Sequence, residues 1–263
     1  MNKVRAKKNL GQHFLKDKKI AEEIVNSLTS QKPVHVLEIG PGMGILSKFL
    51  IKKDYETSFV EIDDESVEYL QQNFPDMEGR ILHQDFLKMD LQSLPAKSIA
   101  LIGNFPYNIS SQILFKTYEN RNKVKELVGM FQLEVAKRVI SKPGNKVYGI
   151  LSVLIQAFYH TREVLTLEPE DFDPPPKVKS MVISLERNDV EQLNCDEKLF
   201  HRLIKSTFNQ RRKTIRNSLK SVMDIVDFES EYLSRRPEQL SVEEFINLTN
   251  QVQKHMGAKT SDK

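Results

Sequence analysis

Along the first two thirds of the chain, short apolar runs alternate with segments whose apolar residues recur every three or four positions. Asp17 can cap a helix that carries Ile20, Ile24, Val25 and Leu28 on one face and ends near Ser30. Residues 34–39 read as a buried strand, 40–44 as a tight turn, and 45–53 as a helix with Leu46, Phe49 and Leu50 inward. A second strand over 57–62, a helix over 65–74, a third strand over 80–84 and a fourth over 99–103 follow. The apolar run Val124–Gln132 continues into a helix through Arg138, and 149–158 is long and apolar. Alternating strands and helices predict right-handed βαβ units and a doubly wound, mainly parallel α/β sheet.

The pattern changes after Pro174, Pro175 and Pro176. Residues 178–185 predict a last strand, placed as an antiparallel sheet edge. From Asp196 onward only helical spacing remains: Leu199, Leu203 and Phe208, then Ile215 and Leu219, then Val242, Phe245, Ile246 and Val252. The chain is therefore expected to divide into a catalytic domain, 1–190, and a small helical domain, 191–263, with 257–263 unstructured. No internal repeat is visible.

Composition narrows the function classes. The apolar fraction of 39% supports a substantial core, and no apolar run approaches the roughly 18 residues of a membrane span. The first residues are basic, but no apolar stretch follows them, so no secretory signal is expected. A lone cysteine, Cys195, excludes an internal disulfide framework, and the absence of clustered His and Cys argues against a metal site. These features predict a cytoplasmic protein. The net charge of +3 hides two basic zones: residues 1–20 carry +6 and residues 201–220 carry +7 with no acid, leaving −10 for the rest. That asymmetry points to a polyanionic partner. The acid-free stretch holds Arg211, Arg212 and Lys213, which charge alone suits to phosphates; solvated helix faces are the plainer reading.

Two motifs carry chemistry. Glu38-Ile39-Gly40-Pro41-Gly42-Met43-Gly44 places a glycine turn between a strand and a helix, where backbone must come close to a ligand. Glu61, at the end of the next strand, can accept from both ribose hydroxyls of a nucleoside, and Asp85 from an adenine amino group. The second motif is Asn104-Phe105-Pro106-Tyr107-Asn108-Ile109-Ser110. An Asn carbonyl and the Phe105 carbonyl, restricted by Pro106, can both accept from an exocyclic NH2, and a Tyr ring can stack on the base. Together these residues point to an S-adenosylmethionine-dependent methyltransferase that acts on an adenine amino group. A nicotinamide-binding domain shares the glycine turn and an acid like Glu61, but not Asp85 or the Asn104 segment.

In order along the chain stand Lys8-Asn9-Leu10-Gly11-Gln12-His13-Phe14-Leu15, the two motifs above, Phe131-Gln132-Leu133-Glu134-Val135-Ala136-Lys137-Arg138 and Phe172-Asp173-Pro174-Pro175-Pro176-Lys177-Val178. With Phe208-Asn209-Gln210-Arg211-Arg212-Lys213-Thr214 and Arg236-Pro237-Glu238-Gln239-Leu240-Ser241, the chain resembles the bacterial small-subunit ribosomal RNA adenine N6,N6-dimethyltransferases, whose loss gives kasugamycin resistance. The resemblance implies a Rossmann-like sheet, with cofactor contacts at His13, Leu15, Gly40, Glu61, Asp85 and Asn104. It implies two adjacent adenosines in a hairpin loop near the 3′ end of small-subunit rRNA as substrate, each methylated twice. The expected partner is an immature small ribosomal subunit, and a monomer is expected. His13 stands where the family commonly has Asn, and Phe105 where Leu is commoner.

On this reading Asn104 and the Phe105 carbonyl hold the amine hydrogens, Pro106 fixes that carbonyl, and Tyr107 stacks on the base. Phe172 is a candidate second wall of the base pocket, with a core aromatic as the equal alternative. The target adenine must be unstacked to reach the site, which favours a loop. The nearest rival is the related large-subunit rRNA methyltransferase that confers macrolide resistance. An RNA-binding assembly factor with secondary methylation is the rival from another class.

Overall fold

A computed structural model describes residues 4–29 and 35–261. Lys3 of the first basic zone, the expected helix end at Ser30, the expected strand start at Val34, and Asp262 and Lys263 lie outside the described residues. The chain divides into two compact units: Met1–Ala136 with Tyr159–Asn188, and Lys137–Phe158 with Asp189–Lys263.

The first unit is built on a seven-stranded sheet. Its strands are β2 (His35–Ile39), β3 (Glu56–Glu61), β4 (Ile81–His83), β5 (Ile99–Asn104), β6 (Val124–Gln132), β7 (Tyr159–Leu167) and β9 (Ser180–Arg187), in the order β4-β3-β2-β5-β6-β9-β7. The first five are parallel to one another, whereas β9 is antiparallel to both β6 and β7. All five residues of β2 are buried, as a strand covered on both faces requires. Two short strands, β1 (Phe14–Leu15) and β8 (Phe172–Asp173), pair antiparallel and bring residue 14 beside residue 173.

The helices α1 (Lys18–Asn26), α2 (Ser47–Leu50), α3 (Asp64–Asn73) and α4 (Ser110–Glu119) complete this unit, together with the start of α5 (Leu133–Ile140). Asp17 caps α1 as expected, its carboxylate accepting from the Lys19 N–H at 2.6 Å, and Ala21, Ile24 and Val25 are buried. Asp63 caps α3 by accepting from the Ser66 N–H.

The second unit holds the remainder of α5, then α6 (Ile150–Gln156), α7 (Glu197–Asn209), α8 (Ile215–Leu219) and α9 (Val242–Ser261). Helix α7 packs on α6, α8 and α9. The Phe208 ring lies 6.1 Å from Tyr148 and 5.9 Å from Phe245, joining three segments in one aromatic cluster.

Several sequence expectations need correction. The strand foreseen over 178–185 is antiparallel but not an edge: β9 lies between β6 and β7, and its Met181, Val182, Ile183 and Leu185 are buried. The edge is β7, which the sequence did not reveal because its polar residues keep one side exposed. Helix α4 was also missed. Helix α2 is shorter than 45–53 because turns occupy residues 42–46 and 51–52, although Leu46 and Leu50 are buried as foreseen. The end of the chain is helical through Ser261 rather than unstructured from 257. Residues 137–158 group with the later helices because the apolar α6 packs on α7 and α9.

Candidate active site

The four strands β4, β3, β2 and β5 are adjacent and parallel, so their carboxyl ends share one edge of the sheet. The chain leaves β2 toward β3 on one side and returns to β5 on the other, which opens a crevice at that edge. Gly40 follows β2, Glu61 ends β3, Asp85 follows β4 and Asn104 ends β5. All four line one cleft, together with His13, Phe105, Pro106 and Tyr107.

The floor is the glycine turn. Gly40, Gly42 and Gly44 all have positive φ, at 67°, 55° and 73°. A Cβ on Gly42 would lie 2.8 Å from the Phe14 ring, and one on Gly44 would lie 2.6 Å from the Phe74 ring. At Gly40 the space is open, with only a Pro106 carbon at 4.0 Å. The glycines therefore serve two purposes: two admit aromatic rings against the turn, and one leaves open space beside it.

Glu61 is buried and organises that turn. Its Oε2 accepts from the Gly42 N–H at 3.0 Å, and its Oε1 accepts from the N–H groups of Ile62 at 2.8 Å and Asp63 at 3.0 Å. Burial pushes its carboxyl above the ordinary glutamate range, and the three N–H bonds oppose that shift. Asp85 accepts from the Leu87 N–H at 2.9 Å, which shapes the loop beside it. Glu38, one residue before Ile39, is fully buried under the turn and accepts from the Ser47 hydroxyl at 2.7 Å. Burial pushes its carboxyl up to about 8, so it is largely neutral at pH 7.

The Asn104 segment is held from several directions. The Asn104 Nδ2 donates to the His13 carbonyl at 2.7 Å. A carbonyl can only accept, so the amide must present its NH2 to His13, leaving Oδ1 as the acceptor end. Phe105 is buried, with its ring edge-on to Phe131 at 5.1 Å. Gly129 makes this possible, because a Cβ there would lie 2.1 Å from the Phe105 ring. Pro106 has an extended-type ψ of 130° and opens the turn that leads to α4. The Tyr107 hydroxyl is hydrogen-bonded to the Ser180 hydroxyl, and its ring stacks on His13 at 5.2 Å with a 27° interplanar angle. Burial pushes the Tyr107 phenol up, against the Ser180 hydrogen bond.

His13 thus supplies more than one contact. Its Nδ1 lies 2.7 Å from the Pro174 carbonyl and must carry the hydrogen in that bond. Leu15 does not line that cleft directly; it is buried in the core, pairs with Phe172, and lines an adjoining cavity that shares Phe14, Gly40 and Asn104 with the cleft. Phe172 does not line it either. Expected as a second wall, it is 1% exposed within the same core, because its pairing with Leu15 turns it inward.

The three basic residues foreseen for phosphate contact belong to the helical unit. They lie in the turn between α7 and α8, not inside a helix. Arg212 and Lys213 are exposed. Arg211 is engaged internally: its guanidinium lies 3.8 Å from the Glu238 carboxylate and donates to the Asn145 carbonyl at 3.3 Å.

Sequence reasoning missed two anchors. Lys116 on α4 donates to the carbonyls of Leu87 at 3.0 Å and Met89 at 2.5 Å, and its ammonium lies 5.4 Å from the Phe86 ring, so it fixes the loop after Asp85. Lys7 pairs with Asp63 and lies 3.1 Å from Glu65, tying the N-terminal segment to the residues after Glu61. Neither has a local signal, since each partner is distant in sequence.

The chain that carries this cleft is similar to known proteins over nearly its whole length. The model of a family described as ribosomal RNA adenine dimethylase matches residues 3–254. The ribosomal RNA small subunit methyltransferase A of Parabacteroides distasonis is 51% identical over 264 residues, covering 100% of this chain and 99% of that protein. Its counterpart in Bacteroides thetaiotaomicron is 52% identical over 264 residues, covering 99% of each. Among solved structures, a dimethyladenosine transferase from Plasmodium falciparum superposes with a TM-score of 0.78 over 92% of this chain and 98% of that one, at 23% identity. That likeness is one of fold.

Proposed function

The chain belongs to the ribosomal RNA adenine dimethylase family, and from that premise we propose that it dimethylates the N6 amino groups of two adjacent adenosines in a 3′-terminal hairpin loop of small-subunit rRNA. The observation that carries this reading is the anchored Asn104 amide, whose Oδ1 end is the acceptor, at a strand end that lines the same cleft as Glu61 and Asp85.

The residues present fit S-adenosylmethionine. Gly40 leaves open space at the turn, Glu61 Oε2 accepts only one backbone bond and retains capacity for ribose, and Asp85 retains capacity for an adenine amine. His13 and Asn104 would hold the amino-acid end, and Leu15 would contribute from the segment beside it. When bound, the cofactor supplies an electrophilic methyl group on a sulfonium.

The chain's own residues prepare the acceptor. The adenine N6 lone pair is conjugated into the ring, which makes the nitrogen a poor nucleophile. Asn104 Oδ1 and the Phe105 carbonyl accept its two hydrogens and favour a more tetrahedral nitrogen. Pro106 lacks an N–H and restricts Phe105, so that carbonyl is fixed before the base arrives. Tyr107, with its hydroxyl tied to Ser180, offers a ring held in place for stacking. Positioning supplies most of the rate. No general base is required if the proton leaves after the nitrogen becomes cationic.

The catalytic work belongs to the unit of residues 1–136 and 159–188, and RNA binding to the helical unit of 137–158 and 189–263 rather than to a domain that begins at 191, with exposed Arg212 and Lys213 placed to meet phosphates. The substrate is the rRNA within an immature small subunit, met in the cytoplasm by a monomer. Purified small and large ribosomal subunits offered as methyl acceptors test the reading. Label in the small subunit alone is expected, and label in the large subunit would overturn it in favour of the macrolide-resistance activity.

A further inference from the structure

The basic zone at 201–220 gains further cations from a segment that lies far from it in sequence. Residues 137–149 carry Lys137, Arg138, Lys142 and Lys146 and no acid, and 141–149 form the loop between α5 and α6 in the helical unit. That loop is fastened at three places. The Gln156 side-chain amide donates to the carbonyls of Val139 at 2.7 Å and Ser141 at 2.9 Å. The Gly144 N–H donates to the Glu238 carbonyl at 2.6 Å. The Asn145 carbonyl accepts from the Tyr148 N–H at 3.1 Å and from the Arg211 guanidinium at 3.3 Å. This last bond sets the loop against the turn that carries Arg212 and Lys213. Lys142 and Lys146 flank the contact on the loop side, and all four residues are exposed. No ion pair engages any of the four among the described residues. Glu238, the acid beside both segments, is 18% exposed and faces Arg211 at 3.8 Å, so it does not neutralise them.

We propose that residues 142–146 are a second phosphate-binding element, which with Arg212 and Lys213 forms one surface for the sugar-phosphate backbone of a helical RNA segment flanking the target loop. The inference rests on the RNA-methylating reading above and adds a contact that base sequence does not govern. Exposed cations without counter-charges attract a polyanion and release its condensed counterions. Neither 141–147 nor 210–214 contains an aromatic residue, so this surface offers no ring on which an unpaired base could stack. It reads charge and backbone shape, which is how double-stranded RNA is bound. A loop already fastened at three places loses little freedom when its lysines meet phosphates. Arg211, engaged by Asn145 and Glu238, is the bracket between the two cationic segments and not itself a phosphate ligand.

The test measures binding to under-methylated small subunits and to protein-free small-subunit rRNA across a salt series. It compares the wild type, Lys142→Ala/Lys146→Ala, Lys142→Arg/Lys146→Arg and a control, Lys97→Ala/Lys125→Ala, which removes two exposed charges from the first unit. The Ala pair should weaken binding to both targets on the order of tenfold. It should also lower the slope of log affinity against log salt by about 1.8, two duplex phosphate contacts at about 0.9 each. The Arg pair should keep the wild-type slope, and the control pair should barely change it. Melting temperature and S-adenosylmethionine affinity should be unchanged throughout. A folded Ala pair with the wild-type slope overturns the surface. An equal loss in the control pair also overturns it, because overall charge would then account for the effect. A loss confined to intact subunits overturns it too, by assigning the loop to an acidic ribosomal protein. If the double variant does not fold, Lys146→Ala is judged by a loss of about 0.9 in slope. Wild-type protein that binds the rRNA but transfers no methyl group would instead refute the underlying function, so the two failures are distinct.

Discussion

Replacing Glu61 separates its two tasks, shaping the turn and holding a ligand. The carboxylate accepts three backbone N–H bonds, two of them, from Gly42 and Asp63, in buried surroundings. The third, from Ile62, lies beside an exposed side chain where water can substitute. A buried donor left unpaired costs about 1–3 kcal/mol. Glu61→Ala therefore removes about 2–6 kcal/mol of stability. Glu61→Gln keeps one carbonyl for Ile62 and Asp63 but turns an NH2 toward the Gly42 N–H, a cost of about 1–3 kcal/mol. Loss of the charge-assisted ribose contact adds about 1.5–3 kcal/mol to cofactor binding, roughly a 10- to 150-fold rise in Kd. Chemical denaturation and calorimetry on both variants measure the two effects apart. A Gln variant as stable as the wild type that binds S-adenosylmethionine with unchanged affinity would refute both assignments.

The buried Glu38 carboxyl has a folded-state pKa of about 8 against an ordinary 4.5. A raised acid favours the folded state fully below pH 4.5 and loses that contribution as pH climbs toward 8. The stability of the wild type relative to Glu38→Gln should thus fall by roughly 3 kcal/mol between pH 4 and 7; parallel profiles of the two proteins would show that Glu38 is not the titrating group. In the helical unit, Arg212→Ala/Lys213→Ala should flatten the salt dependence of small-subunit binding by up to about two phosphate contacts, leaving the melting temperature unchanged. Arg211→Ala should lower the melting temperature instead, because its guanidinium faces Glu238 and Asn145; the reverse pattern would exchange the two roles.

The motifs were legible because they sit at strand ends. Once 99–103 is read as a strand, Asn104 falls at its carboxyl end, and the same reasoning places Gly40, Glu61 and Asp85. The cap at Asp17 was legible for a local reason, a carboxylate beside free N–H groups. Contacts made by the fold were not legible. Nothing near Phe172 in sequence reveals that pairing with Leu15 turns it into the core. Nothing near Tyr107 points to Ser180, and Gly129 reads as an ordinary strand glycine until Phe105 is seen against it. Strand β7 escaped notice because an edge strand tolerates polar residues that break the apolar run. Arg211 and Arg212 are alike in sequence, and only the fold, through Glu238 and the Asn145 carbonyl, separates them.

The central claim is that the Asn104 amide holds the reacting nitrogen. The most direct measurement is the yield of N6,N6-dimethyladenosine, mapped in the rRNA after wild type and Asn104→Ala each meet under-methylated small subunits and S-adenosylmethionine. The wild type should produce two adjacent dimethylated adenosines in the 3′-terminal hairpin loop. Asn104→Ala should produce almost none while binding the subunit with nearly unchanged affinity. Dimethyladenosine formed by that variant at the wild-type rate would contradict the account.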